Sequence, residues 1–120
     1  METPQSGTEN RPSSIRDLKR SPAEKKIARQ AFERALQREF EAVIRETKRL
    51  AEAIQQPGDL WELEDYLRQR RKEIDSRFDY RHSVLLFVFA DLIRTGRLRE
   101  EELQGLHDEK LTIIRDLASR

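Results

Sequence analysis

The sequence has no cysteine, and only four glycines and four prolines in 120 residues. Without cysteine there are no disulfides and no thiolate chemistry, and a reducing compartment fits. With so few glycines and prolines, long stretches run without a residue that must end a helix. No apolar run approaches the length of a membrane span, and the N-terminus has no apolar core for a secretion signal. The expectation is a soluble cytoplasmic protein. An excess of one charge is also missing: 24 basic and 23 acidic residues leave a formal net charge of +1. A chain so balanced exerts no long-range pull on polyanions.

Charge of both signs is what the chain has in quantity, at 39% of residues against 36% hydrophobic. A compact globule of this size carries more apolar residues. One domain is expected, either elongated and helical with much solvated surface or pooling its apolar stripes in an oligomer. Residues 1–20 are Ser, Thr, Pro, Gln and charge, with Ile15 and Leu18 the only large apolar side chains besides Met1. Such a stretch cannot bury enough surface to offset its ordering entropy, so a disordered tail is expected there.

Ser21-Pro22-Ala23-Glu24 is a helix start, with Ser at the N-cap, Pro at the first helical position and Glu at the capping-box position. Nothing breaks the helix before Pro57. Leu36, Phe40, Val43, Thr47, Leu50 and Ile54 alternate spacings of four and three, a narrow stripe that suits the seam of another helix. After a short link near Gln56 to Gly58, Asp59 and Glu62 read as a second N-cap and capping box. No glycine or proline follows until Gly96, so one long helix is expected, with a bend possible near Ser76 to Asp79. Its stripe includes Leu60, Leu63, Leu67, Ile74 and Phe78, and Ser83 to Ile93 is apolar nearly all round, which implies burial on several sides. Thr95-Gly96 caps it. A short helix over Arg99 to Gln104 and a last one from Asp108 complete an all-α chain. The expected layout is a stem over about residues 21–78 and a small C-terminal helical head over about 79–120.

Catalytic chemistry finds little support. His82 and His107 lie far apart. His107-Asp108-Glu109 cannot share one helix face as metal ligands and reads as an N-cap cluster. Asp79, His82 and Ser83 lack the glycine turn that an oxyanion hole needs. No phosphate loop or metal-spaced carboxylate pair is present. The reading is therefore no enzyme, no cofactor and no metal. Arg68, Arg70, Arg71 and Lys72 form a basic run, but Glu62, Glu64 and Asp65 before it and Glu73 and Asp75 after it cancel its field, which argues against nucleic acid. The pairs Glu64–Arg68, Asp65–Arg68 and Glu73–Arg77 fit helical charge pairing better. Trp61, the only tryptophan, shares a face with Asp65, one turn on. That pairing suits either a protein-interaction hot spot or a core or dimer seam. Arg71 falls close to the apolar stripe and needs a carboxylate or an exit to solvent, making it a candidate for a cross-chain pair with Asp65 of a second copy.

The wording LWELEDYLRQRRKEIDSRFDYRHSVLLFVFADLIRTG, Leu60 to Gly96, resembles the fluorescence recovery protein family of cyanobacterial photoprotection. The resemblance continues more weakly through Glu101 to Leu106 and Asp108 to Leu117. It implies an all-helical protein that forms an antiparallel homodimer and carries no chromophore. It implies binding to photoactivated orange carotenoid protein, mainly at its C-terminal domain, which speeds return to the orange state and ends phycobilisome quenching. Carried over, Leu60 falls at the dimer interface, with Leu63 and Leu67 on the same stripe. Trp61, Asp65 and Arg71 fall on the partner-binding surface, and Phe87 and Lys110 on functional positions of the head. The extension up to Arg20 has no counterpart in the resemblance. The alternative is a dimeric helical adaptor in an organism without phycobilisomes.

Overall fold

The computed structural model describes residues 21–120, so the expected tail lies outside the described residues. Four α-helices follow one another: α1 (Pro22–Glu52), α2 (Pro57–Arg77), α3 (Leu85–Arg94) and α4 (Asp108–Ala118). Short 3-10 turns occur at His82–Val84 and Glu100–Leu103. No strand occurs among the described residues.

The start of α1 follows its sequence. Ser21 Oγ accepts from Glu24 N at 3.2 Å, and Glu24 Oε1 accepts from Ser21 N at 3.1 Å, closing the capping box. The 31-residue helix is about 46 Å long at 1.5 Å per residue. It stops at Glu52 rather than at Pro57. The second start also differs from expectation. Pro57 and Gly58 belong to the first turn of α2, and Asp59 is not the N-cap. Its Oδ2 reaches back to accept from Gln55 N at 2.9 Å and Gln56 N at 3.1 Å. An acid in the first turn performs the same electrostatic task from inside the helix. The short link turns α2 back along α1, so that Phe40 and Val43 face Leu67, Arg70, Arg71 and Ile74 across a shallow groove.

The helix expected from Asp59 to Gly96, with a bend open near Ser76 to Asp79, is interrupted there outright. Phe78 leaves helical geometry at φ −99°, ψ 78°, and helix resumes only at Leu85. The cause is tertiary. Phe78 and Tyr80 turn inward and pack edge-on against Phe32, with ring centroids 5.7 and 4.8 Å away. Arg29 lies over the Tyr80 ring at 4.4 Å. Such ring pairs add roughly 0.5–1.5 kcal/mol each beyond burial, enough to outweigh local helix preference over a few residues.

The core lies at this end of the molecule. Leu85, Leu86, Val88, Phe89, Ala90 and Leu92 of α3 are buried against Leu98, Leu103, Leu106 and Ile114. Its fourth wall is the first half of α1, through Ala28, Ala31, Phe32 and Ala35. Gly96 caps α3 at φ +78°, and Arg97 N donates to Leu92 O at 2.8 Å. The piece expected as a helix over Arg99 to Gln104 is the 3-10 turn, and ion pairs pin it and the residue Arg97 just before it to α1. Arg38 forks onto Glu102, with Nη1 2.8 Å from Oε1, and Arg97 Nε lies 2.8 Å from Glu39 Oε1.

Candidate functional site

Away from this core the hairpin of α1 and α2 has no cover. α2 has no buried residue. Trp61 is 66% exposed, and Leu60, Leu67, Phe40 and Ile44 are also bare. Leu63 and Ile74 are half-buried between the two helices. Large apolar side chains this exposed, on two adjacent helices, form one surface rather than scattered singles. The groove between Phe40, Val43, Leu67 and Ile74 is rimmed by Arg70, Arg71 and Asp75. Arg70 stacks over Tyr66 at 5.4 Å and bonds Glu73 at 3.0 Å. Its Nε is buried without a hydrogen-bond partner, an unusual state for a polar atom in a completed surface.

Asp65 and Arg71 do not meet within one chain. Asp65 Oδ1 accepts from Arg68 Nη1 at 3.0 Å, and Arg68 also holds Glu64. These two expected helical pairs are present. The third is not: Glu73 goes to Arg70, while Arg77 Nε bridges to Asp91 of α3 at 2.8 Å. Both partners of the Asp65–Arg68 pair are more than half exposed, so the pair holds Asp65 only weakly. Arg71 is exposed and has no carboxylate partner among the described residues. The charge on this face is therefore available to a second molecule.

Phe87 stands apart from Trp61. It is 48% exposed on α3, between buried Leu86 and Val88, and lines a separate cleft at the junction of α2 and α3. Lys110 is not on the surface. Its side chain is 4% exposed, and Nζ lies 2.9 Å from Glu24 Oε1. Burial works to raise the pKa of Glu24, but hydrogen bonds from Lys110, His107 N and Ser21 N outweigh it and leave that pKa lowered. A lysine so placed has no ammonium to offer a partner; its contact is internal. Ile44 carries no mark in the sequence reading, and Lys72 figures there only as part of a basic run. Ile44 falls off the narrow stripe, and Lys72 is masked by neighbouring charge.

Among the described residues no group of three or more His, Cys, Asp or Glu could hold a metal ion. No described helix is long and apolar enough to cross a membrane. The site consists of apolar side chains and pairable charges, which suit recognition of a protein.

Comparison with known proteins agrees with this arrangement. A family model described as photoprotection regulator fluorescence recovery protein matches residues 20–118, so the match begins well before Leu60 and takes in all of α1. The fluorescence recovery protein of Synechocystis sp. PCC 6803 is 41% identical over 98 residues, covering 82% of this chain and 90% of that protein. The structure of the Fremyella diplosiphon fluorescence recovery protein superposes with a TM-score of 0.81 at 41% identity, over 85% of this chain and all of that one. The Synechocystis structure gives the same TM-score at 39% identity and the same coverage. With its sequence and its four helices both in register with these proteins, the chain belongs to the fluorescence recovery protein family of photoprotection regulators.

Proposed function

We propose that this chain is a non-enzymatic regulator that binds photoactivated orange carotenoid protein through its C-terminal domain. Binding speeds the return to the orange state, releases the phycobilisome from quenching and so restores antenna fluorescence. It acts in the cytoplasm as an antiparallel homodimer joined along the α1–α2 hairpin. The observation that carries this reading is the bare face of that hairpin, with Trp61 two-thirds exposed, in a chain of this family. A monomer has no reason to leave Phe40, Ile44, Leu60 and Leu67 in water. Leu60, Leu63 and Leu67 supply the seam. Trp61, Asp65 and Arg71 supply an aromatic anchor with charges that orient the carotenoid protein.

The test is direct. The protein is mixed with photoactivated orange carotenoid protein and the dark relaxation is timed by absorbance. Acceleration at substoichiometric or equimolar protein is expected. An unchanged relaxation rate sends the chain to the class of helical adaptors with another partner.

A further inference from the structure

Asp65 is held from one side. Its Oδ1 accepts from Arg68 Nη1 at 3.0 Å, one helical turn on. The second arm of the same guanidinium, Nη2, is bonded to Glu64. Glu64, Arg68 and Asp65 thus form a relay along the exposed face of α2, with Glu64 anchoring Arg68 and Arg68 anchoring Asp65. Asp65 Oδ2 has no partner among the described residues. Asp65 follows Trp61 by four residues, so the carboxylate and the bare indole share one face. All three side chains of the relay are more than half exposed, so in water it adds little to the stability of the fold.

We propose that Arg68 is a positioning residue for partner recognition: it occupies Asp65 Oδ1 and presents Oδ2, beside Trp61, to a single hydrogen-bond donor of the partner. The inference rests on the regulator reading, in which Asp65 meets the partner, and deepens it by naming the group that orients Asp65. With Oδ1 taken, the carboxylate suits one donor, such as a lysine ammonium, better than the two-pronged fork of an arginine. The relay is weak in water and strengthens when a partner covers it, because water is excluded and the local dielectric falls. Removing Arg68 would leave Glu64 and Asp65 as neighbouring like charges under the partner, with the Asp65 carboxylate free to rotate. The cost of losing Arg68 therefore falls on the complex rather than on the free chain.

The test uses the full chain with Arg68→Gln, Arg68→Lys and Glu64→Gln, and with Asp65→Asn alone and combined with Arg68→Gln. Lys26→Gln, on the exposed start of α1, is the charge control. Melting temperature and affinity for photoactivated orange carotenoid protein are measured for each. Arg68→Gln should weaken binding roughly tenfold while its melting temperature stays near wild type. Arg68→Lys keeps the charge but cannot span both carboxylates, and should fall between the two. Glu64→Gln should lose less than Arg68→Gln, and Lys26→Gln should bind as wild type does. On the Asp65→Asn background, Arg68→Gln should add no further loss, because Arg68 acts through Asp65. An equal loss on that background would make Arg68 a direct contact and overturn the proposal. Tighter binding by Arg68→Gln, the mark of a competitor for Asp65, would also overturn it, as would an affinity loss matched by a fall in melting temperature. If wild type binds the carotenoid protein and Arg68→Gln binds it equally well, the relay alone fails. If wild type does not bind it, the regulator reading fails and the relay falls with it.

Discussion

Lys110 Nζ lies 2.9 Å from Glu24 Oε1 across a separation of 86 positions, with both side chains almost wholly buried. The carboxylate that caps α1 also accepts from His107 N at 2.6 Å, so it ties the start of α1 to the start of α4. Removing one partner of a buried pair leaves an uncompensated charge and typically costs about 3–5 kcal/mol. Lys110→Met should fall toward the lower end, because Glu24 keeps its two backbone donors. Urea denaturation measures the loss. Adding Glu24→Leu should recover part of it. A Lys110→Met protein as stable as wild type would mean that α4 is held by its apolar contacts alone.

Glu102 predicts an acid transition. The Arg38 fork, stronger than the opposing burial, holds its pKa down from 4.5 to about 2. A depressed carboxylate contributes stability that is fully present above its unfolded value. That stability is lost as pH falls from about 4.5 through about 2. The carboxylate is 7% exposed, so the contribution is substantial, on the order of 3 kcal/mol at most. Glu102→Gln should lower stability at neutral pH and flatten its dependence below pH ~5, read by chemical denaturation across that range.

Gly105 sits at φ +109°, and a Cβ there would run into Ile27 Cδ1. Gly105→Ala should therefore cost roughly 1–3 kcal/mol through strain and displacement of Ile27. Gly58→Ala, with open space around it and ordinary backbone geometry, is the matched control and should be neutral or stabilising. Equal melting temperatures for the two variants would contradict the strain argument.

Leu60→Glu should put a charge into the seam between two copies and shift the protein towards monomer. Light scattering at tens of micromolar, roughly where dimers with micromolar dissociation constants still assemble, is the measurement. A wild type already monomeric at that concentration ends the dimer model.

Trp61→Ala, Asp65→Ala and Arg71→Ala separate recognition from assembly. Truncating a hot-spot aromatic costs about 2 kcal/mol or more, roughly thirtyfold in affinity. Trp61→Ala should stay dimeric and slow the recovery of the orange state. If Arg71→Ala becomes monomeric, its role is in the dimer and its effect on the partner is indirect. All three staying dimeric with wild-type recovery would place the partner surface elsewhere.

What the sequence makes legible is local. Ser21, Pro22 and Glu24 mark the first helix start because capping needs residues three apart. Gly96 marks the end of α3 because a left-handed cap favours glycine. A bend near Ser76 to Asp79 is open to a reading of the sequence, but the full break there is not legible, because its cause, Phe32, lies on another helix. The same holds for the core of α1. Ala28, Ala31 and Ala35 read as neutral helix formers, and only the approach of the Glu100–Leu103 turn and the buried cluster they join makes them a packing face. Trp61 and Asp65 stand out by residue type. Lys110 is marked only by the family resemblance, and its burial depends on Glu24, at the far end of the chain.

One helix, α1, carries both the alanine face under the core and the bare apolar strip around Phe40 and Ile44. Its unbroken run makes it a phase reference, fixing the azimuth of one surface relative to the other. Each residue of α-helix turns by about 100°. A single residue inserted between Ala35 and Phe40 would leave each half able to fold, yet swing the strip about a quarter-turn around the axis. A four-residue insertion, about 40° from a full turn, would nearly restore the alignment while moving the two surfaces about 6 Å apart. Angular register and axial spacing are therefore separable quantities in this molecule, and each can be varied by insertion without altering any surface side chain.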